Sequence, residues 1–135
     1  RILGSDVNTA VLEAAIHGCY AEKLLSPIPD SFRRRYFSSE SEKLNSHNQI
    51  KTEIQRLIQF RQFNLMSAEY PIATKFQLIF CRNVLYYLQP ERREFLIRKL
   101  VDHLEEGGWL VLGITESGYS IDKMEKHSIS IYQKT

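Results

Sequence analysis

The clearest periodicity lies in the second half of the chain. Phe76–Cys81 (F-Q-L-I-F-C) is a short, nearly continuous apolar run, as expected of a strand buried on both faces. Pro90 stands where a helix should begin, and Ile97, Leu100, Val101 and Leu104 form one apolar stripe after it. Gly107-Gly108 is expected to end that helix, and Trp109–Ile114 (W-L-V-L-G-I) reads as a second buried strand. Ser130–Gln133 alternates apolar and polar residues and is expected to run antiparallel at a sheet edge.

The first half is less regular. Arg1–Ser5 (R-I-L-G-S) reads as the end of a strand with no turn or cap before it. Asp6, Asn8 and Thr9 offer helix caps, Val11, Leu12, Ala15 and Ile16 keep helical spacing, and Gly18 sits where a C-terminal cap belongs. Pro27 and Pro29 interrupt the chain before Arg33-Arg34-Arg35 and Tyr36-Phe37. Ser38–Asn48 is polar and reads as an exposed loop or small hairpin. Ile50, Ile54, Leu57 and Ile58 return to helical spacing, and Phe60–Leu65 alternates as a strand does. Apolar strands alternating with helices predict an α/β fold, a parallel sheet covered by helices.

Composition narrows the class without naming it. The 135 residues are 43% hydrophobic and 25% charged, with a net charge of +2, too mild to predict nucleic-acid or membrane binding by itself. No apolar run approaches the roughly 20 residues of a membrane span, and no export leader is expected. The two cysteines, Cys19 and Cys81, read as reduced thiols in a cytoplasmic protein. No zinc or calcium spacing and no catalytic triad occurs. His17, His47, His103 and His127 are scattered and read as surface or capping residues, and Arg33–Arg35 reads as a solvated helix face rather than a docking patch.

In open parallel sheets, ligands bind beyond the carboxyl ends of the strands. Four segments bring polar residues to such ends. Asp6 follows R-I-L-G-S, where a carboxylate can accept hydrogen bonds from both hydroxyls of a ribose; a helix-capping role beside Asn8 is equally open. Asn64-Leu65 could read an adenine edge and cover its ring, although asparagine after a strand is more commonly a turn residue. Arg82-Asn83 directly follows a buried strand, where an idle charge is costly, and this favours a functional role. Thr115-Glu116-Ser117 follows W-L-V-L-G-I and could equally be a solvated turn.

Together these segments resemble the catalytic domain of chemotaxis receptor methyltransferases of the CheR type. The resemblance is carried by S-D-V-N-T-A-V-L-E-A-A-I-H-G-C-Y (Ser5–Tyr20), R-R-Y-F (Arg34–Phe37) and I-Q-F-R-Q-F-N-L-M (Ile58–Met66). It continues through F-Q-L-I-F-C-R-N-V-L-Y-Y-L (Phe76–Leu88), L-E-E-G-G-W-L-V-L-G-I-T-E-S (Leu104–Ser117) and the closing I-Y-Q-K. The pieces keep the family's order over nearly the whole chain, and F-x-L-I-F-C-R-N-V with a following tyrosine is the most specific of them.

The resemblance implies a Rossmann-like fold dependent on S-adenosylmethionine that esterifies glutamate side chains on the cytoplasmic part of chemoreceptors. It matches Asp6 to the ribose-binding acid, Asn64-Leu65 and Arg82-Asn83 to cofactor-contacting pairs, and Tyr87 to a tyrosine near the reactive methyl. It also implies that residues 1–135 are a partial catalytic domain, with Phe37–Ile54 in the interval of a small inserted antiparallel subdomain used in some members to grip a receptor tail. The family's helical N-terminal domain, its first strand and its glycine-rich loop have no counterpart in the sequence. A complementing N-terminal segment or an oligomer is therefore expected to complete the sheet. A non-catalytic cofactor- or partner-binding module of the same fold, and a small-molecule methyltransferase, are the competing expectations.

Overall fold

The computed structural model describes residues 1–39, 47–116 and 118–135. The tip of the expected hairpin and Ser117 lie outside them. The chain divides into two compact units, Arg1–Asn64 and Leu65–Thr135.

The first unit opens with β1 (Ile2–Asp6), which pairs in parallel with β5 (Ile58–Gln62) so that Asp6 stands opposite Gln62. The strand thus includes Asp6, one residue further than its apolar pattern indicates. Helix α1 (Thr9–His17) connects onward. The Asn8 side chain accepts from the Ala10 amide at its start, and Gly18 closes its end in the left-handed conformation. The short helices α2 (Glu22–Leu25) and α3 (Asp30–Tyr36) follow β2 (Cys19–Ala21). β2, β3 (Phe37–Ser39) and β4 (His47–Ile50) form an antiparallel sheet in the order β2-β4-β3. The helical spacing read at Ile50–Ile58 is divided among three elements: Ile50 ends β4, Ile54 lies in α4 (Thr52–Gln55), and Ile58 begins β5.

The second unit is a four-stranded sheet in the order β6-β7-β9-β8. β6 (Phe76–Cys81) and β7 (Leu104–Leu112) run in parallel, joined by α5 (Pro90–Asp102) with Pro90 in its first turn. β8 (Met124–Lys126) and β9 (Ile131–Lys134) add antiparallel. The last strand is therefore antiparallel as expected, but it lies inside the sheet between β7 and β8, and β8 takes the edge.

The two glycines at 107 and 108 do not end α5. The helix stops at Asp102 and the glycines lie within the β7 span, where Phe76 pairs with Leu104 but Leu78 with Trp109. The extra β7 residues bulge out of the ladder there, and Gly107 takes φ +75°.

α5 buries Leu96, Ile97, Leu100 and Val101 on the sheet face that carries Cys81, Leu104, Leu110, Leu112 and Tyr132. Each fully buried leucine contributes on the order of 2 kcal/mol of apolar transfer. The opposite face starts with Leu78 and Phe80 of β6, which are 47% and 67% exposed. Lys134 is buried, and its ammonium donates to the Val101 and Leu104 carbonyls at 3.2 and 3.0 Å, satisfying backbone acceptors at the end of the helix. Among the described residues no helix is long and apolar enough to cross a membrane.

Candidate functional site

In the second unit, β6 and β7 deliver their carboxyl ends side by side, since Cys81 pairs with Leu112. Two loops leave from there. One runs through Arg82 and Asn83 into a 3-10 turn at Leu85–Tyr87; the other runs through Gly113 into a 3-10 turn at Ile114–Glu116.

Glu116 joins them. It is only 3% exposed, and its carboxylate accepts three backbone amides. Oε2 accepts from Asn83 at 2.7 Å and from Gly113 at 3.1 Å, and Oε1 accepts from Tyr86 at 3.0 Å. A buried carboxylate is tolerable only when donors replace its water, and these three do so. The contact also explains Gly113, because a Cβ there would lie 2.5 Å from Glu116 Oε2. Asn83 takes φ +59°, a conformation asparagine adopts more readily than most residues. Glu116 is thus no solvated turn residue, although Thr115 before it is exposed. Its local pattern gives no sign of this, because the three donors come from two loops, one of them 30 residues away in the chain.

The result is an open depression lined by Arg82, Asn83, Tyr86, Tyr87, Ile114 and Thr115. Tyr87 is 79% exposed, and its ring meets that of Tyr86 edge-on with centroids 5.0 Å apart. Arg82 and Asn83 are exposed beside it. Beneath the loop, Cys81 is buried. Burial, and then the nearby Glu116 charge, push its thiol up to about 11, so it stays protonated and inert at neutral pH.

In the first unit, Asp6 ends β1 half-buried. Its Oδ1 accepts from the Asn8 amide at 2.8 Å, while Asn8 itself caps α1. Asp6 therefore supports the helix entry, and its second oxygen takes no hydrogen bond among the described residues. Such a carboxylate at a strand's carboxyl end suits a ribose diol. Asn64 lies two residues beyond Gln62, the β-partner of Asp6, so both belong to the same end of the β1–β5 ribbon. Leu65 begins the second unit and packs against its core. Arg82, Asn83 and Tyr87 are brought together on one loop.

Parallel strands with polar loops at their carboxyl ends define a Rossmann-like α/β protein of the nucleotide-cofactor-binding class. Residues 1–132 match the family described as CheR methyltransferase, SAM binding domain. The chain belongs to this methyltransferase family, whose cofactor is S-adenosylmethionine. It is 29% identical over 135 residues to a chemotaxis protein methyltransferase of Borreliella burgdorferi, a match covering 99% of this chain and 46% of that protein. It is 34% identical over 116 residues to one from Vibrio parahaemolyticus, covering 86% and 41%. It is 31% identical over 117 residues to chemotaxis protein methyltransferase 2 of Pseudomonas aeruginosa, covering 87% and 42%. The chain thus spans somewhat under half the length of these relatives.

Each unit by itself carries groups whose chemistry suits part of the cofactor. Asp6 has acceptor capacity for ribose hydroxyls, an amide and an apolar residue adjoin at Asn64-Leu65, and the depression carries aromatic faces that attract a sulfonium.

Proposed function

We propose that the protein to which this chain belongs is a protein-glutamate O-methyltransferase acting on the cytoplasmic region of chemoreceptors, and hence a cytoplasmic enzyme. The observation that supports this most is the Glu116 clamp, which holds the Asn83, Tyr86 and Gly113 amides and so ties together the two loops that line the open depression with Arg82, Asn83 and Tyr87. Relatives named as chemotaxis protein methyltransferases lend it further support.

The bound cofactor supplies a methyl group on a positively charged sulfur, which passes to a carboxylate oxygen as the carbon–sulfur bond breaks. The chain's residues hold and align. Asp6 accepts the ribose hydroxyls. Asn64 reads the adenine edge and Leu65 covers its ring. Arg82 and Asn83 complete the cofactor contacts from the loop after β6. The Tyr87 hydroxyl orients the reacting pair. The receptor glutamate, with an ordinary pKa of about 4.3, is ionised at neutral pH, so no general base is required. Catalysis then rests on alignment and exclusion of water. The antiparallel sheet β2-β4-β3, which takes Phe37–Ser39 and His47–Ile50 from residues 37–54, is the proposed inserted subdomain.

Tyr87→Phe in the full-length protein tests the reading. It should leave cofactor affinity nearly unchanged and lower the transfer rate about ten- to a hundredfold at saturating cofactor. Radiolabelled methyl groups are followed into base-labile esters on a chemoreceptor cytoplasmic fragment. A wild-type protein that binds S-adenosylmethionine but labels no receptor would favour a binding module or a small-molecule acceptor instead.

A further inference from the structure

The segment Leu65–Tyr70 (L-M-S-A-E-Y) belongs to neither helix nor strand, so its carbonyls need partners from elsewhere. Two side chains supply them. The Tyr70 hydroxyl donates to the Leu65 carbonyl at 2.6 Å, and the Lys99 ammonium donates to the Ala68 carbonyl at 2.8 Å and to that of Ser67.

Lys99 stands on α5, and its ammonium lies 3.9 Å from the Tyr70 ring centroid. His103, one turn further on, packs against the same ring with centroids 4.9 Å apart. Phe95, one turn earlier, lies 5.4 Å from the ammonium. Residues four apart share one helix face, so Phe95 and Lys99 of α5 and His103 at its C-cap form a second stripe, distinct from the one that builds the core. Burial, and then the neighbouring Cys81, push the Tyr70 hydroxyl up to about 12, so it remains a donor throughout the neutral range.

An exposed loop of this length ordinarily samples many shapes, and a ligand that needs one of them loses affinity to the ordering. Here three carbonyls of one short loop are held by two side chains that also touch each other.

We infer that Tyr70 and Lys99 are positioning residues for the cofactor's base, holding the Leu65–Tyr70 loop in the shape in which Leu65 covers the adenine and the adjoining Asn64 meets its edge. The inference rests on the reading that Asn64-Leu65 contacts the adenine. Neither side chain touches the cofactor; both act through the backbone of the loop.

The test uses the full-length protein and two ligands, S-adenosylmethionine and its analogue bearing hypoxanthine, with affinities measured by calorimetry. Tyr70→Phe keeps the ring beneath Lys99 and removes the hydroxyl, and Lys99→Met keeps the stem and removes the ammonium. Each should weaken S-adenosylmethionine binding about three- to tenfold, the affinity equivalent of reordering a short segment. The preference for adenine over hypoxanthine should fall by a similar factor. The transfer rate at saturating cofactor should change by less than about twofold.

Wild-type affinity and base preference in both folded variants would overturn the inference. So would an equal weakening of both ligands with the preference intact, the mark of a merely structural role. If Lys99→Met does not fold, Tyr70→Phe alone decides. Asn64→Ala separates the two layers. If it abolishes the base preference while the Tyr70 and Lys99 variants keep it, the inference falls and the adenine contact stands. If it too keeps the preference, the adenine contact falls and the inference with it.

Discussion

Replacing Glu116 by glutamine changes one charge and almost no volume, yet the site offers no good place for a primary amide. The carboxylate accepts from three backbone amides with two oxygens, and an amide has only one. If the glutamine oxygen takes the place of Oε2, Asn83 and Gly113 keep their partner but the Tyr86 amide faces an NH2 group. Turning the amide around sacrifices two bonds instead of one. The better arrangement loses one bond, leaves a half-buried donor unpaired, and converts two charge-assisted bonds to neutral ones. The unpaired donor costs about 1–3 kcal/mol, and the loss of charge assistance about 0.5–1 kcal/mol for each remaining bond. Relief from burying a charge offsets part of this. The net loss should be about 2–4 kcal/mol, a large share of a domain stability of about 5–15 kcal/mol. At about 3 °C per kcal/mol, the melting temperature of the full-length protein should fall by roughly 6–12 °C. Below that melting range, methyl transfer should still fall at least about tenfold, because Asn83 and the turn that carries Tyr86 and Tyr87 are no longer held. Calorimetric melting and initial-rate assays at saturating cofactor measure the two effects. A variant with wild-type melting would refute the energetic reasoning. One that melts lower but transfers methyl groups at the wild-type rate would separate the clamp from the chemistry.

Gly113→Ala should destabilise by about 2–4 kcal/mol in denaturant unfolding, because the new Cβ would lie 2.5 Å from the Glu116 carboxylate and must displace it. Cys81 makes stability fall with alkaline pH. Its raised value means the folded protein holds the thiol proton more tightly than the unfolded chain, so this contribution is complete below about pH 9 and is lost as pH rises through about 11. Cys81→Ala should flatten that part of the stability profile, by about 2–3 kcal/mol over the interval. Asp6→Ala should weaken S-adenosylmethionine binding by about 2–4 kcal/mol in calorimetry while the protein stays folded; unchanged affinity would leave Asp6 with helix entry alone.

The parts of the fold legible in the sequence are those whose local pattern and tertiary fate coincide. F-Q-L-I-F-C forms β6 as its apolar run indicates, though only the face with Ile79 and Cys81 joins the core and Leu78 and Phe80 are exposed rather than buried on a second face, and the Pro90 start and leucine-rich stripe of α5 are local signals that the core then uses. Family membership was legible too, because several weak motifs keep their order. What the sequence concealed depends on distant partners. Ile50, Ile54 and Ile58 keep a helical interval by coincidence, since β4 and β5 claim its two ends through strand pairing. The Gly107-Gly108 pair imitates a helix stop, but its cause is a bulge against β6. The interior position of β9 follows from β8, a three-residue strand too short to leave an alternating pattern. Glu116 was hidden most completely, because nothing within T-E-S distinguishes a carboxylate facing water from one facing three amides.

Because one carboxylate serves both loops, the turn after β6 and the turn after β7 cannot relax independently. Releasing Glu116 uncouples Asn83, Tyr86 and Gly113 at once, so these amides should exchange with deuterium through a single opening event and share one opening free energy. The two loops therefore behave as one cooperative element. An insertion or deletion in either becomes a change in both, and drift in the length of one is constrained by the fit of the other.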